Sequence, residues 1–167
     1  LKTGVTLPPD ALDHLRDKFD AILLGAMGDP RVPDNRHAAD ILLGLRFKLD
    51  LYVNYRPVKL FHERLCPLKG ATAKDVDFAV FRENTEGLYS GVENQVTPGV
   101  VMSMKVATEE GCTRIARWGF RYAMERQRPK VTVFHKANIM KLTDGLFLRC
   151  AQQIHEREYP DVTYETV

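Results

Sequence analysis

Two short stretches carry the side chains best able to do chemistry. One is Phe81-Arg82-Glu83-Asn84-Thr85-Glu86-Gly87-Leu88-Tyr89, the other His135-Lys136-Ala137-Asn138-Ile139-Met140-Lys141. Each follows an apolar run, Asp77 to Phe81 and Val131 to Phe134, which is where a sheet delivers side chains to a site. Arg82 offers anion binding, because a guanidinium meets a carboxylate through two parallel hydrogen bonds. Arg46, in the last turns of an apolar helix, and Arg56, just before Pro57, are of the same kind. Arginines converging on one cleft would suit a small di- or tricarboxylate. Taken singly, each has the ordinary reading of a surface or ion-paired residue. Tyr89 and Lys136 can carry protons when neighbouring cations or burial adjust their proton affinity. Their ordinary reading is a tyrosine packed in a turn and a lysine at a strand end.

Other chemical motifs fail on spacing. Gly25-Ala26-Met27-Gly28-Asp29-Pro30 follows an apolar run but lacks the third glycine of a dinucleotide loop, and Pro30 intervenes, so a tight strand exit is expected. His155-Glu156 has no second histidine at zinc-protease spacing and reads as a solvated helix end. The basic segment from Arg114 to Lys130 could face an anionic partner, but its apolar residues recur at helical spacing, as in any amphipathic helix. Cys66, Cys112 and Cys150 form no CxxC pair, which leaves neither a disulfide framework nor a zinc site; each reads as a small core side chain in a reducing cytoplasmic setting. No metal ligand is assigned in this chain.

The elements that must position these residues alternate between helix and strand. Asp10 to Phe19 reads as a short amphipathic helix, and Asp20 to Leu24 as a strand buried on both faces. Pro30, Pro33, Asp34 and Asn35 make a loop, and His37 to Lys48 a mostly apolar helix. Asp50 to Leu60 is strand-like but interrupted at Arg56-Pro57. Asp77 to Phe81 is a short buried strand, with Arg82 at its end. Gly91 to Pro98 turns, and Val100 to Val106 alternates like a half-exposed hairpin arm. Thr108 caps a helix with Cys112, Ile115, Ala116, Gly119, Tyr122 and Ala123 on one face. Val131 to Phe134 is a buried strand, Thr143 caps a last helix, and Val162 to Val167 opens another strand. The expected class is α/β, a largely parallel sheet with helices and an antiparallel arm.

Bulk properties set outer limits. The 167 residues suffice for one domain or part of a two-domain unit. A net charge of +2 is too mild to demand a nucleic acid or a membrane. No apolar run approaches the roughly 18 residues of a membrane helix. Leu1-Lys2-Thr3-Gly4 shows no signal-peptide core and no initiator Met, so the sequence reads as internal to a longer frame or trimmed.

The two chemical stretches, with Leu45-Arg46, Asp50-Leu51-Tyr52 and Asn54-Tyr55-Arg56-Pro57, resemble the metal-dependent β-decarboxylating dehydrogenases, over roughly residues 21 to 167. That family holds the isopropylmalate, isocitrate, homoisocitrate and tartrate/D-malate enzymes. The resemblance implies an isopropylmalate-dehydrogenase-like fold, partly represented. Residues 1–51 would belong to the cofactor-binding domain and 52–167 to most of the second, dimer-forming domain. It implies oxidation of a 2-hydroxy acid by NAD or NADP, followed by loss of the neighbouring carboxylate. Arg46, Arg56 and Arg82 would hold the substrate carboxylates, Tyr89 would protonate the enolate carbon, and Lys136 would help remove the hydroxyl proton. Lys136 would serve the partner subunit's site in a homodimer, and Asn138 would lie near the nicotinamide. Mg²⁺ or Mn²⁺ is implied, with its aspartates outside this chain, so the chain alone is expected to be inactive. Leu42 and Leu43 would wall the pocket with apolar surface, which favours the alkyl group of 3-isopropylmalate and a place in leucine biosynthesis. Ala39 departs from the glutamate usual in isopropylmalate enzymes, and Glu83 to Gly87 and His135 to Leu148 look closer to isocitrate or homoisocitrate enzymes. Isocitrate, homoisocitrate and tartrate/D-malate therefore remain alternatives, as does a non-catalytic or regulatory subunit.

Overall fold

The computed structural model describes residues 5–32 and 36–167. The terminal Leu1–Gly4, and the Pro33, Asp34 and Asn35 portion of the expected loop, lie outside the described residues. The chain divides into two compact units, Leu1–Tyr52 and Val53–Val167.

The first unit holds helices α1 (Ala11–Lys18) and α2 (Arg36–Lys48). In α1, Asp13 lies in the first turn and Arg16 and Lys18 in the last, each complementing the helix dipole. Ala38 and Leu45 are the buried side chains among the described ones of α2. Thr6 Oγ1 donates to Asp40 at 2.5 Å, which ties the segment before α1 to α2. The strand expected at Asp20 to Leu24 does not form, and Leu23 stands fully exposed. A strand apolar on both faces needs neighbours for its backbone and its side chains. Among the described residues of this unit there is no strand to pair with. The following glycine-containing segment closes in a turn, with Val32 N–H donating to Asp29 O at 2.9 Å.

The second unit contains every strand among the described residues. β1 (Val53–Lys59) pairs antiparallel with β2 (Asp77–Glu83), in a register that sets Asn54 opposite Arg82 and Tyr55 opposite Phe81. Pro57 does not interrupt β1. The strand has an open edge, and an edge strand accommodates a residue without an N–H. Arg82 accordingly lies within β2, one residue before its end. β3 (Glu93–Thr97) and β4 (Val100–Ser103) form a hairpin with a bulge between Gln95 and Thr97. Helix α3 (Glu109–Glu125), β5 (Lys130–Val133), α4 (Thr143–Glu158) and β6 (Thr163–Thr166) follow.

The class is mixed α/β, as expected, but parallel pairing is confined to β5 and β6 among the described strands. What the connections contain explains this. Between β5 and β6 the chain runs through α4, the crossover that parallel strands require. Between β1 and β2, residues 60–76 hold a 3₁₀ turn at Glu63–Leu65 but no α-helix to cross over the strands, and the second strand returns antiparallel.

The core lies where α3 and α4 cover β5 and β6. Ala116, Phe120, Ala123, Val133, Ala151, Ile154 and Val162 are buried together, with Val131, Phe147, Tyr159 and Tyr164 packed against them. Thr108 caps α3, accepting from Gly111 N–H at 3.0 Å. Thr143 does not cap α4. It is that helix's first residue, and Leu142 occupies the cap without a side-chain hydrogen bond. His155 is not solvated either: it packs on Phe120 and Tyr164, and its Nε2 lies 2.9 Å from Val162 O. Cys112 and Cys150 are buried as expected, whereas Cys66 is half-buried.

Phe120 has no solvent exposure and stacks on Tyr159. Phe120→Ala is expected to destabilise the chain by about 3–5 kcal/mol, read from chemical denaturation. An unchanged denaturation midpoint would contradict its place at the centre of the core.

Candidate functional site

Strand alternation sends successive side chains of β1 and β2 to opposite faces. On one face Tyr55 and Phe81 pack on Tyr122 of α3, with ring centroids 5.0 to 5.5 Å apart. The Tyr55 and Tyr122 hydroxyls lie 3.0 Å apart. The other face carries Asn54, Arg56, Val80 and Arg82. Arg56 is the diagonal neighbour of Arg82, about 7–8 Å away by the geometry of antiparallel pairs. The structure thus brings two of the sequence-predicted arginines onto one face.

Tyr89 completes this cluster. It sits in a 3₁₀ turn, Leu88–Ser90, and the Arg82 guanidinium lies 4.9 Å from its ring centroid. Arg82 Nη2 also donates to the buried Asn84 at 2.8 Å. Arg82 Nε is buried without an acceptor among the described residues. Arg56 Nε donates to Asn54 at 2.8 Å. An arginine pair steadied by amide oxygens, with a phenol against one of them, can hold a small anion and hand it a proton.

The turn that presents Tyr89 is fastened by carboxylates that sequence inspection did not single out. Glu83 accepts from Thr85 N–H at 2.8 Å, Thr85 Oγ1 at 2.7 Å and Glu86 N–H at 2.6 Å. It also meets Arg114 of α3 at 3.0 Å. Glu86 reaches the start of α3, where Thr108 N–H donates to it at 3.0 Å. A carboxylate there gains from the unsatisfied amides and the helix dipole. Gly111 leaves room for it: a β-carbon at that position would lie 2.5 Å from the Glu86 carboxylate. Gly87, at φ +70° and ψ −131°, exchanges two backbone hydrogen bonds with Val106. L side chains are strained in that conformation.

Lys136 and Asn138 stand on a separate segment, the loop between β5 and α4, and both side chains are exposed. Lys136 N–H donates to the buried Asp144 at 2.7 Å, and the Lys105 ammonium pairs with the other oxygen of that carboxylate. Arg46 lies half-buried in the last turn of α2, with Leu42 and Leu43 about 40% exposed on the same helix. These belong to the first unit, and Arg56, Arg82, Tyr89, Lys136 and Asn138 to the second. Several basic residues of α3 and beyond are engaged in ion pairs: Arg117 with Glu158, Arg128 with Asp77 and Lys130 with Glu165. No group of three or more His, Cys, Asp or Glu residues able to hold a metal ion occurs among the described residues. No described helix is long and apolar enough to cross a membrane.

Burial pushes the Cys112 thiol up to about 12, helped by Cys150 and Glu86, so it is an inert core group. Burial would raise the Asp144 carboxyl as well, but the Lys105 ammonium and the Lys136 amide outweigh it and hold it below its ordinary value. Folding therefore favours the ionised form. Its contribution to stability is complete above the unfolded value of about 3.9 and is lost as pH falls through the lower folded value. The melting-temperature difference between the chain and Asp144→Asn is expected to be largest near neutral pH and to shrink below about pH 4. A difference that grows on acidification would contradict this assignment.

A family model described as isocitrate/isopropylmalate dehydrogenase matches residues 1–167. The chain is 40% identical over 168 residues to the 3-isopropylmalate/3-methylmalate dehydrogenase of Methanocaldococcus jannaschii, covering 98% of this chain and 46% of that protein. It is 50% identical over 125 residues to a mitochondrial regulatory subunit of isocitrate dehydrogenase (NAD) from Dictyostelium discoideum, covering 72% of this chain and 32% of that one. The crystal structure of isocitrate dehydrogenase from Methylococcus capsulatus superposes with a TM-score of 0.75 at 34% identity, covering 99% of this chain and 47% of that one. The chain spans less than half the length of each.

Proposed function

Since the chain belongs to the isocitrate/isopropylmalate dehydrogenase family, we propose that it forms the substrate-holding portion of an enzyme that oxidatively decarboxylates a 2-hydroxy acid. Our preferred substrate is 3-isopropylmalate. The observation that carries this reading is the placement of Arg56 and Arg82 on one sheet face with Tyr89 against Arg82. The unmatched Arg82 Nε is a buried donor that a substrate carboxylate would satisfy.

In this reading Arg46, Arg56 and Arg82 are each assigned to the substrate carboxylates, whose charge guanidinium groups offset. Lys136, supplied to the partner subunit in a homodimer, takes the hydroxyl proton. When the carboxylate leaves as carbon dioxide, its bonding electron pair remains as an enolate, and Tyr89 gives a proton to the carbon. NAD or NADP would accept the hydride, and Asn138 is the residue assigned beside it. The divalent metal is not fitted by the described residues, which offer no cluster of three suitable ligands. We assign its ligands outside this chain, and propose that the 167 residues alone do not turn over. Residues 1–51 would then belong to the cofactor domain and 52–167 to the second domain. Leu42 and Leu43 favour an alkyl substituent over the extra carboxylate of isocitrate. A cytoplasmic, leucine-biosynthetic setting follows from that substrate.

A second reading, a regulatory subunit, is favoured by the identity to the Dictyostelium protein. Steady-state kinetics of the full-length gene product separate the two. The panel is isopropylmalate, isocitrate, homoisocitrate, tartrate and D-malate, with NAD or NADP and Mg²⁺. We expect isopropylmalate to give the highest kcat/KM, and Arg82→Ala to lower it at least about thirtyfold, equivalent to ~2 kcal/mol. Preference for another acid would replace the substrate, whereas absence of turnover with all five would favour the regulatory reading.

A further inference from the structure

A buried carboxylate with both oxygens engaged joins two segments far apart in the chain. Asp144, only 6% exposed, lies at the start of α4. Its Oδ1 meets the Lys105 ammonium, and its Oδ2 accepts the Lys136 N–H at 2.7 Å. Lys105 lies two residues past β4, on the way from the hairpin to α3, and Lys136 opens the loop after β5. The Lys105 side chain is 35% exposed and that of Asp144 8%, so the pair is shielded more than an ordinary surface bridge.

The bond to Lys136 is made to its backbone. The Lys136 side chain is exposed, so its direction depends on how the peptides on either side are held. Asp144 holds the preceding one through its N–H. The following one is held through Lys136 O, which accepts from Ile139 N–H at 3.0 Å and Met140 N–H at 2.7 Å. Ala137 N–H donates to His135 Nδ1 at 3.0 Å. The loop is thus pinned at the point where a long, bare side chain leaves it, and Asp144 is the pin that reaches in from another element.

We propose that Asp144 is a positioning residue, supported by Lys105, which fixes the Lys136 backbone and so the direction in which its ammonium enters the site. The inference rests on the proposed proton-carrying role of Lys136. Asp144 itself meets no substrate. A strongly held carboxylate suits this task, because removing Lys105 leaves a buried charge unmatched and removing Asp144 leaves the loop unfastened. Small displacements of a reacting group cost up to about a hundredfold in rate.

The test is a double-mutant cycle in the full-length gene product. Asp144→Asn keeps the shape and loses the charge. It is expected to lower kcat about ten- to a hundredfold, with KM for the hydroxy acid within about twofold. On a Lys136→Ala background the same change is expected to lower residual kcat less than about twofold, because the residue it positions is gone. Equal losses in both backgrounds would mean a general structural role and overturn the proposal. Loss of activity in Lys136→Ala with none in Asp144→Asn would sink the positioning role alone. Wild-type kcat in Lys136→Ala would sink the proton role and the inference with it. Should Asp144→Asn fail to fold, Lys105→Met and Lys105→Arg replace it, with amide hydrogen exchange read across residues 135–142. Faster exchange and lower kcat in Lys105→Met, restored by Lys105→Arg, support the proposal. Unchanged exchange and kcat in Lys105→Met overturn it.

Discussion

A side chain on an extended strand serves one face of its sheet, and the next serves the other. Much in the second unit depends on how β2 uses that constraint. Phe81 turns toward α3 and meets Tyr122, while Arg82 turns away and meets Tyr89. One peptide bond separates a packing residue from a candidate anion-binding one. A slip of one residue in the β1–β2 register would exchange the two faces. It would bury Arg82 against aromatic rings and leave Phe81 in the place of the cation. The aromatic trio of Tyr55, Phe81 and Tyr122 therefore fixes the aim of the arginines without touching them.

Polar side chains do the remaining alignment, and acidic ones dominate. Glu83 gathers four donors, Glu86 reaches the start of α3, and Asp144 joins Lys105 to the Lys136 amide. Apolar contacts could not do this as sharply, since dispersion has little angular preference whereas a hydrogen bond weakens steeply when bent. The core around Phe120 supplies the bulk of the burial. The carboxylates supply direction, and they do so at the ends of elements, where backbone amides remain unpaired.

Much of the helical framework and most strands were legible in the sequence because their signals are local. Thr108 before a pair of glutamates marks the start of α3, and the β-branched run Val131-Thr132-Val133 marks β5. Phe120 is missing from the face read in the sequence: Cys112, Ile115, Ala116 and Ala123 are buried as that face has them, but Phe120 joins them rather than Gly119 or Tyr122. Gly119 and Phe120 point roughly 100° apart on the helix, and only the packing of α4 decides which of them is covered. The run from Asp20 to Leu24 has strand composition, but a strand is defined by partners as well as by residues. The arginines and Tyr89 could be named from residue type. Lys105–Asp144 and Glu83–Arg114 could not, because each links positions tens of residues apart with no periodic mark.

The core around Phe120 is drawn from one continuous stretch, Ala116 to Tyr164. Contacts that close within so short a stretch assemble with little loop entropy and fast kinetics. The β1–β2 ribbon has no such autonomy, since its aromatic face is covered by a residue of α3 made later. During synthesis at ~5–20 residues per second, Phe81 would wait roughly 2–8 s, and Tyr55 roughly 3–13 s, for Tyr122 to appear. A two-stranded ribbon is marginal in water by itself. The ribbon bearing Arg56 and Arg82 thus spends its first seconds as nascent chain without its cover, and is completed by a helix that folds after it.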